Sequence, residues 1–327
     1  MNFGSTAPDF FEGHPITDTA RSDAAAPRSL DVAQTLLFVP ATRPDRFAKA
    51  LASGAHAVII DLEDAVAPED KATARDSVAA WLSEGEWTGA GSDTAVVVRI
   101  NSADTEWFAP DVSTLAAVAS RLSTVAAERS GHYAQCPFGV MIPKCESEDP
   151  VHEIRQRFTQ HGVAAPYFIG LLETPRGIVA AESLARAHSV HRFAFGNYDL
   201  GLELDAIVGP EETELLHARS RVVMAARAFG MPGPIDGPCA DFSTDGATEA
   251  SAQRGRALGF AGKLAIHPKQ LAAIDAEFGD SAEDVAWARH VVDAAEAAGG
   301  AAVNVDGAMV DAPVLKRAQR IVARAGR

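Results

Sequence analysis

The chain has 327 residues, 47% of them hydrophobic and 22% charged, so it can bury a large core, and wholesale disorder is excluded. Its 29 basic and 44 acidic residues leave a net charge of −15, which argues against nucleic acid or an anionic membrane surface as partner, because both need a basic field. No run of about 18 apolar residues is present to span a membrane, and Cys136, Cys145 and Cys239 form neither a CxxC pair nor a disulfide framework, which points to a reducing cytoplasm.

Residues 1–33 open with MNFGSTAPDFFEGHP, without the basic start and apolar run of a signal peptide. They read as an irregular N-terminal arm, with the pair Phe10–Phe11 its one candidate for docking on the body. Short apolar runs then alternate with longer helical stretches. The runs start at Thr35, Ala57, Ala95, Gly139, Tyr167 and Arg192, with a weak one near Pro234–Ile235 and a last one at Lys263. Most are continuously apolar, as strands buried on both faces of a parallel sheet are. Helical spacing marks residues 68–82, 111–127, 149–161, 175–187, 210–229 and 245–258. Eight strands alternating with helices predict an α/β fold, a (β/α)8 TIM barrel over residues 34–280, in preference to an open doubly wound sheet. Residues 281–327 form a C-terminal helical extension: a helix from Ser281 to Ala298 stopped by Gly299–Gly300, a short strand Val303–Val305, a turn at Asp306–Gly307, and a last helix from Pro313 to Ala325.

The polar residues at the ends of the apolar runs carry the chemistry. Strand two ends in Asp61-Leu-Glu63-Asp64, strand three in Arg99-Ile-Asn101, strand four in Pro143-Lys144, strand five in Glu173-Thr-Pro-Arg176, strand six in Asn197-Tyr-Asp199, and strand eight in His267-Pro268. In a barrel all of these open onto one face. Several carboxylates in one mouth repel each other, and a hard divalent cation resolves the conflict. Mg²⁺ needs only one or two carboxylates plus water and substrate oxygens. Glu173 and Asp199, on adjacent strands, suit this, with ion pairs to Arg176 or Arg99 as the structural alternative. Zinc is disfavoured, since no His/Cys pair has ligand spacing. Arg99 suits a bidentate grip on a carboxylate or carbonyl oxygen. Lys144 raises the idea of a Schiff base, but the surrounding carboxylates would raise its pKa rather than depress it. His267 is either a satisfied histidine or a ligand contact. After strand one, Arg43, Arg46 and Lys49 recur at spacing three, giving either a solvated helix face or a site for a phosphate-bearing ligand.

Taken together, LLFVPATRPDRFAKALASGAHAVIIDLEDAV, VVVRIN, MIPKCES, GLLETPRGI, FAFGNYDLG and GFAGKLAIHPKQ resemble, in the same order, the citrate lyase beta-subunit family within the HpcH/HpaI aldolase and malyl-CoA lyase group. The tail DGAMVDAPVLKRAQRI is similar to that of its stand-alone CoA-ester lyases and synthases. The resemblance spans about residues 34–325. The chain departs from the pattern at Ala41, at Leu202-Glu203-Leu204 and at Arg176.

The resemblance implies a Mg²⁺-dependent carbon–carbon lyase. It would cleave a 3-hydroxyacyl-CoA of the malyl-CoA or citramalyl-CoA type to a 2-keto acid and an acyl-CoA, as a cytoplasmic homo-oligomer (trimer or hexamer). By motif, Glu173 and Asp199 would be the metal ligands, with Glu173 also facing substrate. Arg99 would hold keto-acid oxygens and stabilise the developing enolate. Asp61 and Glu63 would act on metal-bound water, while Arg43 and Lys49 would meet CoA phosphates with His267 nearby. Asp311 would be the base, projected from the tail into a neighbouring subunit's site, with a helix N-cap as its structural alternative. Three other readings share these residues: a malate-type synthase with thioesterase activity, a beta subunit of a multi-subunit citrate lyase, and a non-catalytic CoA-ester-binding module.

Overall fold

The computed structural model describes residues 30–85, 87, 94–130, 136–297, 303–305 and 308–325. Eight parallel strands close into a barrel in chain order: β1 (Thr35–Pro40), β2 (Ala57–Asp61), β3 (Ala95–Arg99), β4 (Gly139–Ile142), β5 (Tyr167–Leu172), β6 (Arg192–Phe195), β7 (Ile235–Asp236) and β8 (Gly262–Ala265). The expected TIM barrel is therefore the observed fold. The faint seventh run is a strand of only two residues, joined to β6 through Ala194 and Ile235. Closure is made by Leu36 against Leu264.

The continuous apolar runs have a simple cause. Alternate residues face opposite sides of a strand, and both sides are covered. Leu36, Ile59, Val97, Met141, Ile169, Leu171, Ala194, Ile235 and Leu264 form one cluster inside the barrel. Leu37, Val39, Val58, Ile60, Val96, Val98, Phe168 and Phe193 belong to a second, which packs outward on the helices. Those helices are α1 (Phe47–Leu51), α2 (Lys71–Glu84), α3 (Phe108–Ser130), α4 (Asp149–Gln160), α5 (Pro175–Arg186), α6 (Asn197–Glu203), α7 (Leu216–Ala228), α8 (Ala247–Leu258) and α9 (Leu271–Phe278). Sequence reading missed α6 because its seven residues, about two turns, carry mainly a strand-end polar cluster, too short for a period of 3.6 to register.

The floor of the barrel is sealed by Arg192, whose residue exposure is 0%. Its guanidinium donates to the carbonyls of Gly233, Leu30 and Ala33, each at 2.7 Å. Without a carboxylate in hydrogen-bond contact, burial lowers its pKa to about 10, which still leaves it charged at neutral pH.

The C-terminal extension leaves from this floor. Gln34 Nε2, at the start of β1, donates to Phe278 O at 2.7 Å, so α9 ends at the N-terminal face of the barrel. Beyond it come α10 (Ala282–Ala297), β9 (Val303–Val305), β10 (Ala308–Val310) and α11 (Ala312–Ala325). The two strands pair antiparallel; β10 was not read from the sequence, being three residues at a chain reversal. The expected Ser281 cap accepts from Asp284 N at 2.9 Å. The extension has its own small core of Ala288, Val291, Val305, Val310, Ala318 and Ile321. The Phe10–Phe11 pair, Gly299–Gly300 and the Asp306–Gly307 turn lie outside the described residues. Among the described residues no helix is long and apolar enough to cross a membrane.

The floor can be tested directly. Arg192→Leu leaves three buried carbonyls without donors, at about 1–3 kcal/mol each. Its urea midpoint should fall by an amount equivalent to at least about 2 kcal/mol with an unchanged m-value. A midpoint equal to that of the wild type would show that the plug is dispensable.

Candidate active site

Strand parity decides which polar groups enter the mouth. Asp61 lies two residues after Ile59, Arg99 two after Val97, and Glu173 two after Leu171, so each continues an inward-facing row at the C-terminal end of its strand. Asp61 and Arg99 are register partners on β2 and β3. Arg99 Nε and Nη2 grip the two oxygens of Asp61 at 2.7 Å each, a two-pronged charge-assisted pair. The same carboxylate accepts from the backbone N–H of Glu63 and Ala65. This folds the Asp61–Asp64 loop back over Arg99, whose Nη1 lies 3.2 Å from Glu63 and 3.1 Å from Asp64. The Arg99 fork is thus held by the acidic loop, and its other face rests on the Phe38 ring, 4.9 Å from the centroid. Lys71 supports the loop from below, donating to Leu62 O and Glu63 O at 2.8 and 2.6 Å.

Glu173, Glu63 and Lys144 form the centre of the mouth. Lys144 adopts a left-handed backbone (φ 44°), unusual for a residue with a side chain. This turn aims its backbone N–H at Glu173 Oε1, 2.9 Å away, with its ammonium 3.7 Å from Glu63 Oε1. Glu63 Oε2 is buried without a hydrogen bond; the nearby Arg99 Nη1 is within ion-pair distance but not aligned to donate. Burial, reinforced by Asp64 and Asp61 and opposed by Arg99 and Lys144, raises the Glu63 carboxyl to about 7. Glu173 is pushed well above the usual carboxylate range by burial and by Glu63, with Asp199 adding to the push. Burial opposes the charge on Lys144, but Glu63, Glu173, Asp64 and Asp104 outweigh it and raise its pKa, the reverse of what a Schiff-base amine needs.

Asp199 reaches the mouth from the first turn of α6, which begins directly after β6. Gly196, between β6 and α6, is required: a Cβ there would collide with the Glu173 Cβ and come within 2.8 Å of Oε2. Asn197 fixes the turn, its Nδ2 donating to Glu212 Oε1 and Pro238 O at 2.7 and 3.2 Å. Glu212, also left-handed, accepts from Arg219 at 2.6 Å; Arg219 continues to Asp236 at 2.8 Å, which Lys263 meets at 2.9 Å. Sequence reading missed Lys71 and this network. The only signal for Lys71 was a cation opening a helix, where the dipole disfavours it.

The remaining candidates stand apart. Arg43 is exposed and paired with Asp45 at 2.9 and 2.8 Å; Lys49 is exposed on α1. His267 caps the 3-10 turn before α9, accepting from Lys269 N, and stacks on Phe242 at 4.6 Å. Asp311 caps α11, accepting from Val314 N at 3.3 Å. Its neighbours Ala312 and Pro313 share a cavity with Arg256 and Asp284, near the floor. A chain by itself therefore does not bring Asp311 to its own mouth.

Among the described residues no three His, Cys, Asp or Glu side chains cage a metal alone. Glu173 and Asp199 nonetheless fit a hard cation, which needs few carboxylates: they repel each other, and Asp199 is half-buried with no hydrogen bond or ion pair among the described residues.

Residues 34–268 match the HpcH/HpaI aldolase/citrate lyase family. A citrate lyase subunit beta-like protein of Deinococcus radiodurans is 33% identical over 292 residues, covering 88% of this chain and 96% of that protein. The L-malyl-CoA/beta-methylmalyl-CoA lyase of Cereibacter sphaeroides is 33% identical over 316 residues, covering 88% and 93%. A crystal structure of protein CitE from Mycobacterium tuberculosis, in complex with magnesium, acetoacetate and coenzyme A, is similar with a TM-score of 0.69 at 32% identity, over 91% of this chain and 100% of that one.

The strained protonation of the mouth has a consequence for stability. With Glu63 held near 7 against an ordinary 4.5, the folded state binds more protons between those values, and stability falls as pH rises through them. Glu63→Gln removes that titration. The urea midpoint of Glu63→Gln relative to wild type should therefore shift in the variant's favour between pH 5 and pH 8. A difference that is flat in pH would contradict the assignment.

Proposed function

The chain belongs to the HpcH/HpaI aldolase/citrate lyase family, and we propose that it is a Mg²⁺-dependent lyase. Its substrate is a 3-hydroxyacyl-CoA with a carboxylate beside the hydroxyl carbon, the class of malyl-CoA and citramalyl-CoA, and its products are a 2-keto acid and an acyl-CoA. The observation that carries this reading is Glu173: a buried carboxyl at the mouth of a barrel, held by the Lys144 N–H and pressed by Glu63 and Asp199. A cation between Glu173 and Asp199 relieves that repulsion. The complex of the similar CitE protein with magnesium and coenzyme A is consistent with both ligands.

Bound there, Mg²⁺ would polarise the substrate's carboxylate and hydroxyl oxygens as a Lewis acid. Glu173 and Asp199 would supply its protein oxygens. Asp61 and Glu63 hold Arg99 in place, and Glu63 would orient water beside the metal. The hydroxyl proton goes to Asp311, the electron pair of the bond between the hydroxyl carbon and the α-carbon moves onto the thioester as an enolate, and the hydroxyl carbon becomes the keto carbon. The enolate then takes up a proton at its α-carbon to become the acyl-CoA, so that no net proton is consumed once Asp311 gives its own up. Arg99 stabilises the charge that develops. Arg43, Lys49 and His267, on the loops after β1 and β8, receive the CoA moiety, with Arg43 leaving Asp45 to do so. Because Asp311 lies toward the floor of its own chain, the reading requires a homo-oligomer in which a neighbour's extension covers the mouth.

EDTA should abolish keto-acid release from malyl-CoA and Mg²⁺ restore it, and Glu173→Gln or Asp199→Asn should lower kcat at least about 100-fold with the fold intact. Turnover in EDTA contradicts the reading. Asp311 separates by size of effect. As a cap alone, its change to Asn costs at most about 1 kcal/mol of stability; as the base, it costs roughly 100- to 10,000-fold in kcat. If Asp311→Asn is inactive, mixing it with Glu173→Gln should restore partial activity when sites are shared between subunits, and none when each site is contained in one chain.

A further inference from the structure

The loop after β7 is held by side chains rather than by backbone. β7 has only two residues, and the carbonyls of Gly237, Pro238 and Cys239 that follow it meet no backbone N–H among the described residues. Carbonyls withdrawn from water need donors, and three side chains supply one each. Lys263 Nζ, on β8, donates to Gly237 O at 2.6 Å. Asn197 Nδ2, at the start of α6, donates to Pro238 O at 3.2 Å. Gln270 Nε2, in the turn before α9, donates to Cys239 O at 2.8 Å. Gly237 is needed for this approach: a Cβ there would collide with Asn197 Oδ1 and come within 2.9 Å of Phe195 O.

Gln270 ties two loops with one amide. It is 1% exposed, and its Oε1 accepts from Ile266 N at 2.9 Å and His267 N at 3.1 Å, while its Nε2 holds Cys239. The amide thereby sets the His267 turn against the loop after β7. On the other side of that loop the buried Asn197 lies two residues before Asp199, in the first turn of α6. Gln270 and Asn197 thus grip neighbouring carbonyls of one short segment, with His267 at one end and Asp199 at the other. The segment has little slack. Pro238 fixes its own φ, and Asp236, just before the segment, is clamped by Arg219 and Lys263. A displacement at one end is passed on rather than absorbed, as in any close-packed interior.

We propose that Gln270 is a positioning residue for Asp199, and that the 237–239 loop couples the metal side of the mouth to the CoA side. This rests on the lyase reading above, which puts the cation at Asp199 and the CoA moiety at His267. Gln270 touches neither ligand. It acts on the metal side through Cys239, Pro238 and Asn197, and on the CoA side through the His267 backbone. The coupling is reciprocal by linkage: the factor by which Mg²⁺ tightens CoA is the factor by which CoA tightens Mg²⁺.

The test is a crossed one, by titration calorimetry of the full chain with each ligand in the absence of the other. Gln270→Met, on the CoA side, should weaken Mg²⁺ about 3- to 30-fold, measured without CoA. Asn197→Ser, on the metal side, should weaken CoA by a similar factor, measured in EDTA. The double variant should bind Mg²⁺ no more weakly than Asn197→Ser, because Gln270 reaches Asp199 only through Asn197; independent structural damage would add instead. Thermal unfolding identifies a variant that fails to fold, and the other cross effect then decides. Variants that each weaken only the ligand on their own side, or effects on Mg²⁺ that add, overturn the coupling while leaving the lyase reading in place. Wild-type protein that fails to bind Mg²⁺ or CoA overturns both.

Discussion

The structure depends on how it accommodates too many carboxylates in one low-dielectric mouth. Asp61, Glu63 and Glu173 are all buried; of the buried cations beside them, Arg99 is already gripped by Asp61 on two prongs and Lys71 spends its ammonium on the carbonyls of Leu62 and Glu63. The deficit is met in three ways. Asp61 is neutralised outright by Arg99 and two backbone N–H groups. Glu63 and Glu173 are pushed toward protonation. Lys144 accepts a left-handed backbone so that its N–H and its ammonium face two different carboxyls. On the function proposed above, a divalent cation would relieve the remaining repulsion before any substrate arrives.

That arrangement needs a rigid frame, and the barrel supplies it through strand parity. The inward rows that pack Ile59, Val97 and Leu171 end in Asp61, Arg99 and Glu173, so the packing that fills the interior also points the functional groups at one another. The floor is closed independently by Arg192. Asp199 hangs on a longer chain of support, from Asn197 through Glu212 and Arg219 to Asp236 and Lys263. Asp236 stays ionised in full burial because Lys263 and Arg219 outweigh the cost of desolvating it. For an acidic protein of net charge −15, anionic ligands are repelled at long range, and only local cations on the loops can receive them.

Much of this was legible in the sequence, for identifiable reasons. Apolar runs without alternation mark strands covered on both faces, and the polar residues that end those runs mark the mouth; Asp61, Arg99 and Glu173 were visible on that basis, while the strand parity that aims them at one another was not. Groups that act through the backbone of distant segments were not. Lys71 opens a helix and looks solvated, yet it holds the carbonyls of Leu62 and Glu63. Asn197 and Glu212 meet only because α6 exists, and seven residues are too few to announce a helix. The role of Arg99 was only half visible: spacing shows a guanidinium at a strand end but not that Asp61 of the adjacent strand already fills its fork. Asp311 could be read two ways, and one chain displays only its cap.

The central claim is that Glu63 and Glu173, pushed above the usual carboxylate range by burial and by neighbouring carboxylates, give up protons when a divalent cation binds in the mouth. Titration calorimetry of the protein with Mg²⁺, repeated at pH 6 and pH 8 in buffers of different ionisation heat, measures this directly. The account predicts tighter binding at pH 8 than at pH 6, with protons released on binding at pH 6 and fewer at pH 8. Binding that is equally strong at both pH values with no proton release, or no binding at all, would contradict it.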